Sequence, residues 1–341
     1  MTAPTNEREL EDLLSRPNKA DVGFMRGLEG DLLILGAGGK MGPTLAGRAA
    51  RAAAEAGARK RIIAVARFTE PGVREKLAAS GVDTITADLL DDAQLRDLPD
   101  CTNVVYMAAR KFGTAGDEPL TWAMNTLLPA RVASRYRDSR IVAFSTGNVY
   151  PLVPVSGSGA TEATPTAPVG EYAQSALGRE RMFQYFSSRF GTRVTILRLN
   201  YAIDLRYGVL LDIGLKVHRR LPVDLSMGRV NVIWQGDANS ICLRALTLCQ
   251  SPPFILNLTG PETTEVRRVA RIFAEHFGVD PVFENPEADT ALISDASLCW
   301  SRFGAPEVGV DQMIEWVADW IVRGGRVLGK ATHFEVRNGK F

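Results

Sequence analysis

Residues 32–42, LLILGAGGKMG, decide the fold of this chain. A short apolar run ends in a loop that carries Gly36, Gly39 and Gly42, and the alanine-rich stretch 43–57 predicts a long helix. Between a strand and a helix, the first glycine permits the tight turn and the second lets the backbone approach a pyrophosphate. The third lets the helix pack closely on the strand. The stretch therefore predicts a dinucleotide-binding loop.

Downstream of this loop, apolar runs alternate with helix-like stretches. The apolar runs predict strands at 61–66, 83–87, 103–109, 140–145 and 192–199. These runs are continuously apolar, which is typical of parallel strands covered by helices on both faces. The sequence predicts an α/β fold, a Rossmann-type doubly wound parallel sheet with a smaller, mostly helical C-terminal substrate region.

The same pattern divides the chain into four segments. They are a polar N-terminal extension at 1–29, a Rossmann domain for NAD(P) at 30–200, a substrate-binding region at 201–325 and a polar tail at 326–341, expected to be mobile. Asn6 is expected to cap a short helix in the extension. Helices of the substrate-binding region are predicted at 236–249, 265–278 and 310–322.

Composition narrows the possible partners. The formal net charge is +1, which argues against binding to nucleic acid or an anionic membrane surface. The four cysteines lack disulfide or metal spacing and the three histidines lie far apart, so no metal site is expected. The scattered cysteines favour a reducing, cytoplasmic location. No apolar run approaches the ~20 residues of a membrane span.

The residue at the end of the second predicted strand indicates whether the cofactor's ribose carries a 2′-hydroxyl or a 2′-phosphate. A site for NAD ends this strand with an acidic residue that accepts from the 2′-hydroxyl. Here the strand ends Ala66-Arg67, and the next carboxylate is Glu70. An arginine can pair with a 2′-phosphate instead, so Arg67 favours NADP.

Further motifs follow the strands in order. They are Asp88-Leu89 after the third strand, MAA at 107–109, Asn125 in the next helix, FSTGNVY at 144–150, and Tyr172, which stands 26 residues beyond Thr146. With the glycine loop, this series resembles the extended short-chain dehydrogenases/reductases, the NAD-dependent epimerase/dehydratase family, over roughly residues 31–324.

The resemblance implies a set of cofactor contacts. Backbone of the loop would hold the pyrophosphate, the residues after the third strand would flank the adenine, and those after the fourth would line the ribose and nicotinamide. The residues concerned are Gly36, Gly39, Lys40, Met41, Gly42, Asp88, Leu89, Ala108 and Ala109.

The resemblance also implies a catalytic set. Thr146 matches the serine or threonine that hydrogen-bonds the reacting oxygen, and Tyr172 matches the tyrosine that exchanges a proton with it beside the cofactor. Asn125 matches a helix asparagine that supports the site. These roles suit the chemistry, because a carbonyl being reduced gains alkoxide character and needs a proton donor and a hydrogen-bond donor.

One position departs from the family pattern. The family's tyrosine is followed four residues later by a lysine, which binds the nicotinamide ribose and lowers the tyrosine pKa. Here that position is Ala176. Lys111 or Arg110 is the favoured substitute cation, ahead of Arg179. Three interpretations stay open: a relocated cation, a Tyr172 that only binds, or a protein that has lost redox chemistry.

The function expected is oxidation-reduction or epimerisation at a carbinol or carbonyl carbon of a sugar, sugar nucleotide or related polyol. The alternative is a non-catalytic NAD(P)-binding sensor or scaffold. Gly147 and Asn148 stand where the family's 4,6-dehydratases carry an acidic pair, which disfavours that dehydratase reaction. A homodimer is expected through the helices of Asn125 and Tyr172. Substrate contacts are sought among Arg206, Tyr207, His218, Arg219, Arg220, Arg229 and Trp234.

Overall fold

A computed structural model describes residues 2–111 and 116–340. Its strands, in chain order, are β1 Leu32–Leu35, β2 Ile62–Ala66, β3 Asp83–Thr86, β4 Asn103–Tyr106, β5 Arg140–Thr146, β6 Val153–Pro154, β7 Arg193–Leu199, β8 Ala202–Ile203, β9 Val223–Asp224, β10 Arg229–Val230, β11 Ile233–Trp234, β12 Phe254–Leu258, β13 Thr264–Glu265, β14 Phe283–Glu284 and β15 Thr290–Ala291. Seven of them form a parallel sheet in the order β12-β7-β5-β4-β1-β2-β3. The predicted Rossmann-type doubly wound sheet is confirmed.

Helices cover both faces of this sheet. In chain order they are α1 Glu7–Ser15, α2 Lys19–Gly27, α3 Gly42–Glu55, α4 Val73–Ala79, α5 Asp92–Arg96, α6 Glu118–Trp122, α7 Leu128–Arg135, α8 Gly170–Phe190, α9 Val209–His218, α10 Gln235–Arg244, α11 Val266–Phe277, α12 Ser297–Phe303 and α13 Val310–Val322. A π-helical turn, Ala123–Leu127, joins α6 to α7. Of these, α2, α9 and α12 have no counterpart among the predicted helices.

The side chains of β1 explain why its sequence is continuously apolar. Leu32 and Ile34 lie in the core beneath α3 and α10, while Leu33 and Leu35 lie in the core beneath α7 and α8. Both faces of the strand are buried, so neither face can be polar. Because β1 lies between β2 and β4, the chain reverses direction across the sheet at the carboxyl ends of β1 and β4, where such folds bind ligands.

The polar N-terminal segment is an integral part of the folded body. Asn6 caps α1 as predicted, its side chain accepting from the Glu9 amide at 3.0 Å. Leu10 and Leu14 are fully buried, and α1 and α2 pack on α3. A buried ion pair fixes α2, because Asp21 Oδ2 lies 2.7 Å from the guanidinium of Arg48.

The region after β7 combines helices α9, α11 and α13 with two-residue strands around a separate core. The last segment, described up to residue 340, does not hang free of this body. Thr332 and Phe334 are only 2% and 3% exposed. The expected mobile tail is therefore packed against the rest of the chain. Among the described residues, no helix combines the length and hydrophobicity needed to cross a bilayer.

Candidate active site

The glycine loop has the shape that its sequence predicts. Gly36 adopts φ +89°, and a Cβ there would come within 2.6 Å of the Ala108 nitrogen. A Cβ on Gly42 would lie 2.3 Å from the Ala37 carbonyl oxygen. A Cβ on Gly39 would meet only the Gly36 oxygen, at an ordinary 3.5 Å. The loop is therefore tight beneath its first and third glycines and open above its second.

The start of α3 completes an anion site. The helix begins at Gly42, and its N-cap residue Met41 makes no side-chain hydrogen bond to it. The first backbone N–H groups of a helix have no partner within the helix and attract anions. Pro43 follows Gly42 and has no N–H, so the remaining donors at this helix start lie beside the open face of Gly39, where the pyrophosphate contact is predicted.

The other cofactor candidates follow the carboxyl ends of neighbouring strands. Arg67 is exposed directly after β2 and makes no ion pair with the described residues. After β3, the Asp88 carboxylate accepts from the Leu90 amide at 3.0 Å and Leu89 is buried. Ala108, after β4, is buried against Gly36, while Ala109 is exposed. Parallel strands bring these residues to one edge of the sheet.

Thr146 and Tyr172 meet at the same edge. Thr146 is the last residue of β5 and Tyr172 lies in the first turn of α8; they are 6% and 8% exposed. The Thr146 hydroxyl acts on the Tyr172 phenol and lowers its pKa. Thr146 Oγ1 also accepts from the backbone and side-chain nitrogens of Asn148, at 3.2 and 3.0 Å. Since a hydroxyl accepts two such bonds and donates one, the Thr146 proton is left for a further acceptor.

Arg179 is one cation that acts on Tyr172. Burial raises the pKa of Tyr172, and the positive charge of Arg179 and the hydrogen bond from Thr146 oppose that rise. Arg179 is 3% exposed and donates to the Phe144 carbonyl at 2.8 Å and to Asn125 Oδ1 at 3.0 Å. The guanidinium is therefore held in place on the same helix as Tyr172.

The two cations preferred from the sequence make other contacts in the structure, and that preference stays a prediction. Arg110 forms an ion pair with Asp117 at 3.0 Å. Lys111 donates to the Thr332 carbonyl at 3.4 Å, and burial lowers its pKa to about 8.

Asn125 connects these parts without touching the reacting hydroxyls. It is fully buried in the π-helical turn. Its amide donates to the Arg110 carbonyl at 2.8 Å and to Ser175 Oγ at 3.0 Å, and its oxygen accepts from Arg110 N at 2.9 Å. The same oxygen accepts from the Arg179 guanidinium. Asn125 therefore links the loop after β4 to α8 through both Ser175 and Arg179.

Ala176 lies one helical turn beyond Tyr172 in α8. It is fully buried in a small apolar cluster with Val149, Tyr150 and Ala160. The surroundings of this position are adapted to a methyl group.

Lys40 places a side chain in the site that the sequence analysis considered only for its backbone. Its Nζ donates to the Ala202 carbonyl at 3.0 Å and lies 3.9 Å above the centre of the Tyr207 ring. Burial is the main cause that lowers its pKa to about 7, with Lys111 adding to the effect. The sequence feature that could have indicated this role is a lysine inside a loop whose other expected cofactor contacts are made by backbone.

Of the seven candidate substrate residues, the structure brings Tyr207 to the site. Arg206 forms an ion pair with Asp204 at 2.8 Å, and Arg229 forms one with Glu265 at 3.0 Å. Trp234 is buried against another tryptophan in the C-terminal core. The remaining three, His218, Arg219 and Arg220, are exposed at the end of α9.

Comparisons with known proteins agree with this fold. Residues 32–202 match the model of the NAD dependent epimerase/dehydratase family. No curated protein matches the sequence. The chain is similar in structure to a dTDP-glucose 4,6-dehydratase from Streptomyces venezuelae with NAD and TYD bound (TM-score 0.71, 19% identity, 86% of this chain and 98% of that one).

Two epimerases are similar to the chain to the same degree. One is a UDP-glucose 4-epimerase from Thermotoga maritima with UDP-glucose (TM-score 0.70, 16% identity, 86% and 99% covered). The other is a UDP-glucose 4-epimerase from Thermus thermophilus in complex with NAD (TM-score 0.67, 21% identity, 85% and 98% covered). At these identities the likeness shows a shared fold.

Proposed function

The chain belongs to the NAD dependent epimerase/dehydratase family, and on that premise we propose that it is an NAD(P)-dependent oxidoreductase or epimerase. It acts at a carbinol or carbonyl carbon of a sugar, sugar nucleotide or related polyol. The observation that carries the proposal is the juxtaposition of Thr146 and Tyr172, both buried at the carboxyl edge of the sheet beside the glycine loop. Sugar-nucleotide enzymes among the structural relatives support the substrate class.

The chemistry divides between cofactor and protein. NAD(P), when bound, supplies the hydride acceptor or donor. Tyr172 Oη exchanges a proton with the substrate oxygen, and Thr146 donates a hydrogen bond as negative charge develops there. Arg179 favours the ionised form of Tyr172 and so takes over the electrostatic part of the absent lysine's role.

A preference for NADP remains part of the proposal. Arg67 supplies a cation at the end of β2, and Glu70, the nearest following carboxylate, lies 3.6 Å from Arg326. The named relatives with a nicotinamide cofactor carry NAD. Comparing the NADPH and NADH affinities of wild type and Arg67→Ala separates the two, because only NADPH carries a 2′-phosphate.

The dehydratase reaction is disfavoured on side-chain chemistry. One structural relative is a 4,6-dehydratase. In this chain Gly147 and Asn148 follow Thr146, and Asn148 binds its hydroxyl. An amide cannot transfer the protons that elimination of water requires.

A homodimer is proposed through α6, the π-helical turn and α8. Large apolar side chains are exposed along these elements, namely Leu120, Trp122, Leu127, Tyr185 and Phe190. Such a patch is typical of a surface that another chain covers. Leu127→Glu should shift the mass measured by light scattering from dimer to monomer.

The competing function is a non-catalytic NAD(P)-binding sensor or scaffold, favoured by the lysine's absence at Ala176. NADH and NADPH fluorescence measures binding, and turnover is followed on a panel of sugars and nucleotide sugars. We expect binding in wild type and Tyr172→Phe alike, with turnover reduced about 10²–10⁴-fold in the variant. If a cofactor binds but no turnover depends on Tyr172, the sensor function is favoured. If neither cofactor binds, both functions are refuted.

A further inference from the structure

The last described residues run beside Tyr172, along the boundary between the Rossmann domain and the region after β7, which we call the cleft. We call residues 328–340 the strap. Its first amide, that of Leu328, donates to the Arg206 carbonyl at 2.9 Å. Near its end, a Cβ on Gly170, two residues before Tyr172, would come within 2.3 Å of the Gly339 oxygen. The strap therefore runs from the loop after β8 to the start of the catalytic helix.

Polar anchors hold the middle of the strap. The Thr332 amide and hydroxyl donate to Asp212 Oδ2 in α9 at 2.7 and 2.6 Å. The Thr332 carbonyl accepts from Lys111 on the Rossmann side at 3.4 Å. One residue thus joins both sides of the cleft, and its side chain is nearly inaccessible to solvent.

A second anchor lies five residues further on. The Arg337 guanidinium donates to the Ser226 carbonyl at 3.0 Å and to the carbonyl and hydroxyl of Thr290 at 2.7 and 2.6 Å. Phe334, between the two anchors, is buried in the C-terminal core. Hydrogen bonds from a charged donor are stronger than neutral ones, so this anchor resists displacement.

Carboxylates offset the cations at this place. The groups concerned are the cations Lys40, Lys111 and Arg206, the side chain of His333, and the anions Asp204, Asp212 and Glu335, and burial lowers the pKa of Lys40 to about 7. The Arg206 cation is committed to Asp204, and the strap itself supplies the Glu335 carboxylate. A diphosphate requires an excess of positive charge or several free donors.

We propose that the strap restricts the substrate site to a compact sugar or polyol that carries no nucleotide. This inference rests on the proposed function and narrows its substrate class. A nucleotide sugar would have to extend from the reacting carbon past the strap residues Thr332 and Glu335 and place its diphosphate beside the Asp212 and Glu335 carboxylates. A free sugar carries no diphosphate and does not need to pass the strap.

The test measures binding to the NADH-loaded protein by calorimetry and ligand-observed NMR. UDP-glucose and UDP are compared with free hexoses, pentoses and inositols at millimolar concentration. Wild type should bind at least one free sugar or inositol and neither UDP nor UDP-glucose. Binding of UDP-glucose to wild type, or its turnover, would overturn the inference.

The variant Arg337→Ala removes the second anchor and leaves Tyr172 and the glycine loop unchanged. It should gain affinity for UDP-glucose by about tenfold or more, while NADH affinity stays the same. Lys340→Ala, an exposed strap residue, is the matched control and should behave like wild type. If Arg337→Ala does not fold, Thr332→Val removes one hydroxyl bond and serves in its place.

A folded anchor variant that binds NADH and still excludes UDP-glucose would refute the role of the strap. These readouts are independent of turnover. A failure of the proposed function appears as binding of neither NADH nor NADPH or as turnover indifferent to Tyr172→Phe, whereas a failure of this inference appears as UDP-glucose binding to wild type.

Discussion

The two sides of the cleft are built in different ways. On the Rossmann side, strands of four to seven residues end at one edge and place Thr146, Tyr172 and the glycine loop by backbone geometry. On the other side, two-residue strands, α9 and the strap are held by side-chain contacts such as Thr332 with Asp212 and Arg337 with Thr290. The first side suits chemistry common to a family, and the second suits the choice of substrate.

Replacing Arg179 tests the chemical side most severely. Arg179→Met removes the cation that opposes the burial of Tyr172, so the Tyr172 pKa should rise further. Turnover near neutral pH should fall about 10²-fold, and the limb of the pH–rate profile that reports ionised tyrosine should move to higher pH. Steady-state kinetics across pH measures both.

Arg189→Met is the matched control, since Arg189 lies exposed in the last turn of the same helix. It should leave the profile unchanged, and Arg179→Lys should restore part of the activity. An Arg179→Met protein with the wild-type profile would mean that the Rossmann side obtains its cation elsewhere.

Restoring the family lysine sharpens the same comparison. Ala176→Lys forces a charged chain into the apolar cluster of Val149, Tyr150 and Ala160. The free energy of unfolding, measured in urea, should fall by about 1–3 kcal/mol from overpacking alone. Gln174→Lys, exposed on the same helix, should cost little. A stable and faster Ala176→Lys enzyme would contradict the assignment to Arg179.

A smaller effect is expected at Asn148. Asn148→Ala removes the side-chain donor to Thr146 Oγ1 and keeps the backbone donor. Thr146 is then less strictly oriented toward Tyr172, and kcat should fall about three- to tenfold, the effect of one neutral hydrogen bond, with KM unchanged. A change in KM alone would indicate that Asn148 contacts substrate rather than Thr146.

The smallest effect concerns Lys40, whose side chain joins the two sides. Its pKa of about 7 is below its ordinary value, so the folded state holds fewer protons than the unfolded state between about pH 7 and pH 10. The buried Lys40 ammonium therefore destabilises the folded state most below about pH 7, and this free-energy cost decreases as pH rises.

Lys40→Met should accordingly stabilise the protein more at about pH 6 than at about pH 9, by chemical denaturation at both values. Lys330→Met, at an exposed position, should show no such difference. Equal shifts for Lys40→Met at both pH values would mean that its ammonium is well solvated and does not bridge the cleft.

The Rossmann side could be predicted from the sequence because local geometry alone determines which residue type each of its key positions requires. Gly36 must adopt a positive φ, and β1 must be apolar on both faces. The spacing of Thr146 and Tyr172 placed two hydroxyls at one edge, and the structure brings them into contact. Their catalytic roles and the cofactor contacts remain predictions for the experiments above.

The other side could not be predicted in the same way. Strands of two residues leave no periodic pattern, and the polar composition of the strap hides the burial of Thr332 and Phe334. For Arg179 the sequence shows only its distance along the helix, whereas in the structure Asn125 and the Phe144 carbonyl direct the guanidinium. Such long-range contacts depend on packing between elements far apart in the chain.

The central claim is that Tyr172, paired with Thr146, is supported by Arg179 in place of the family lysine. A crystal structure with NADH or NADPH bound tests it most directly, by comparing the distances from the Tyr172 hydroxyl to the cations around it. We predict that the Arg179 guanidinium is the nearest protein cation and that the Thr146 hydrogen bond persists. A Lys40 or Lys111 ammonium lying closer to the Tyr172 hydroxyl than Arg179 would contradict the account.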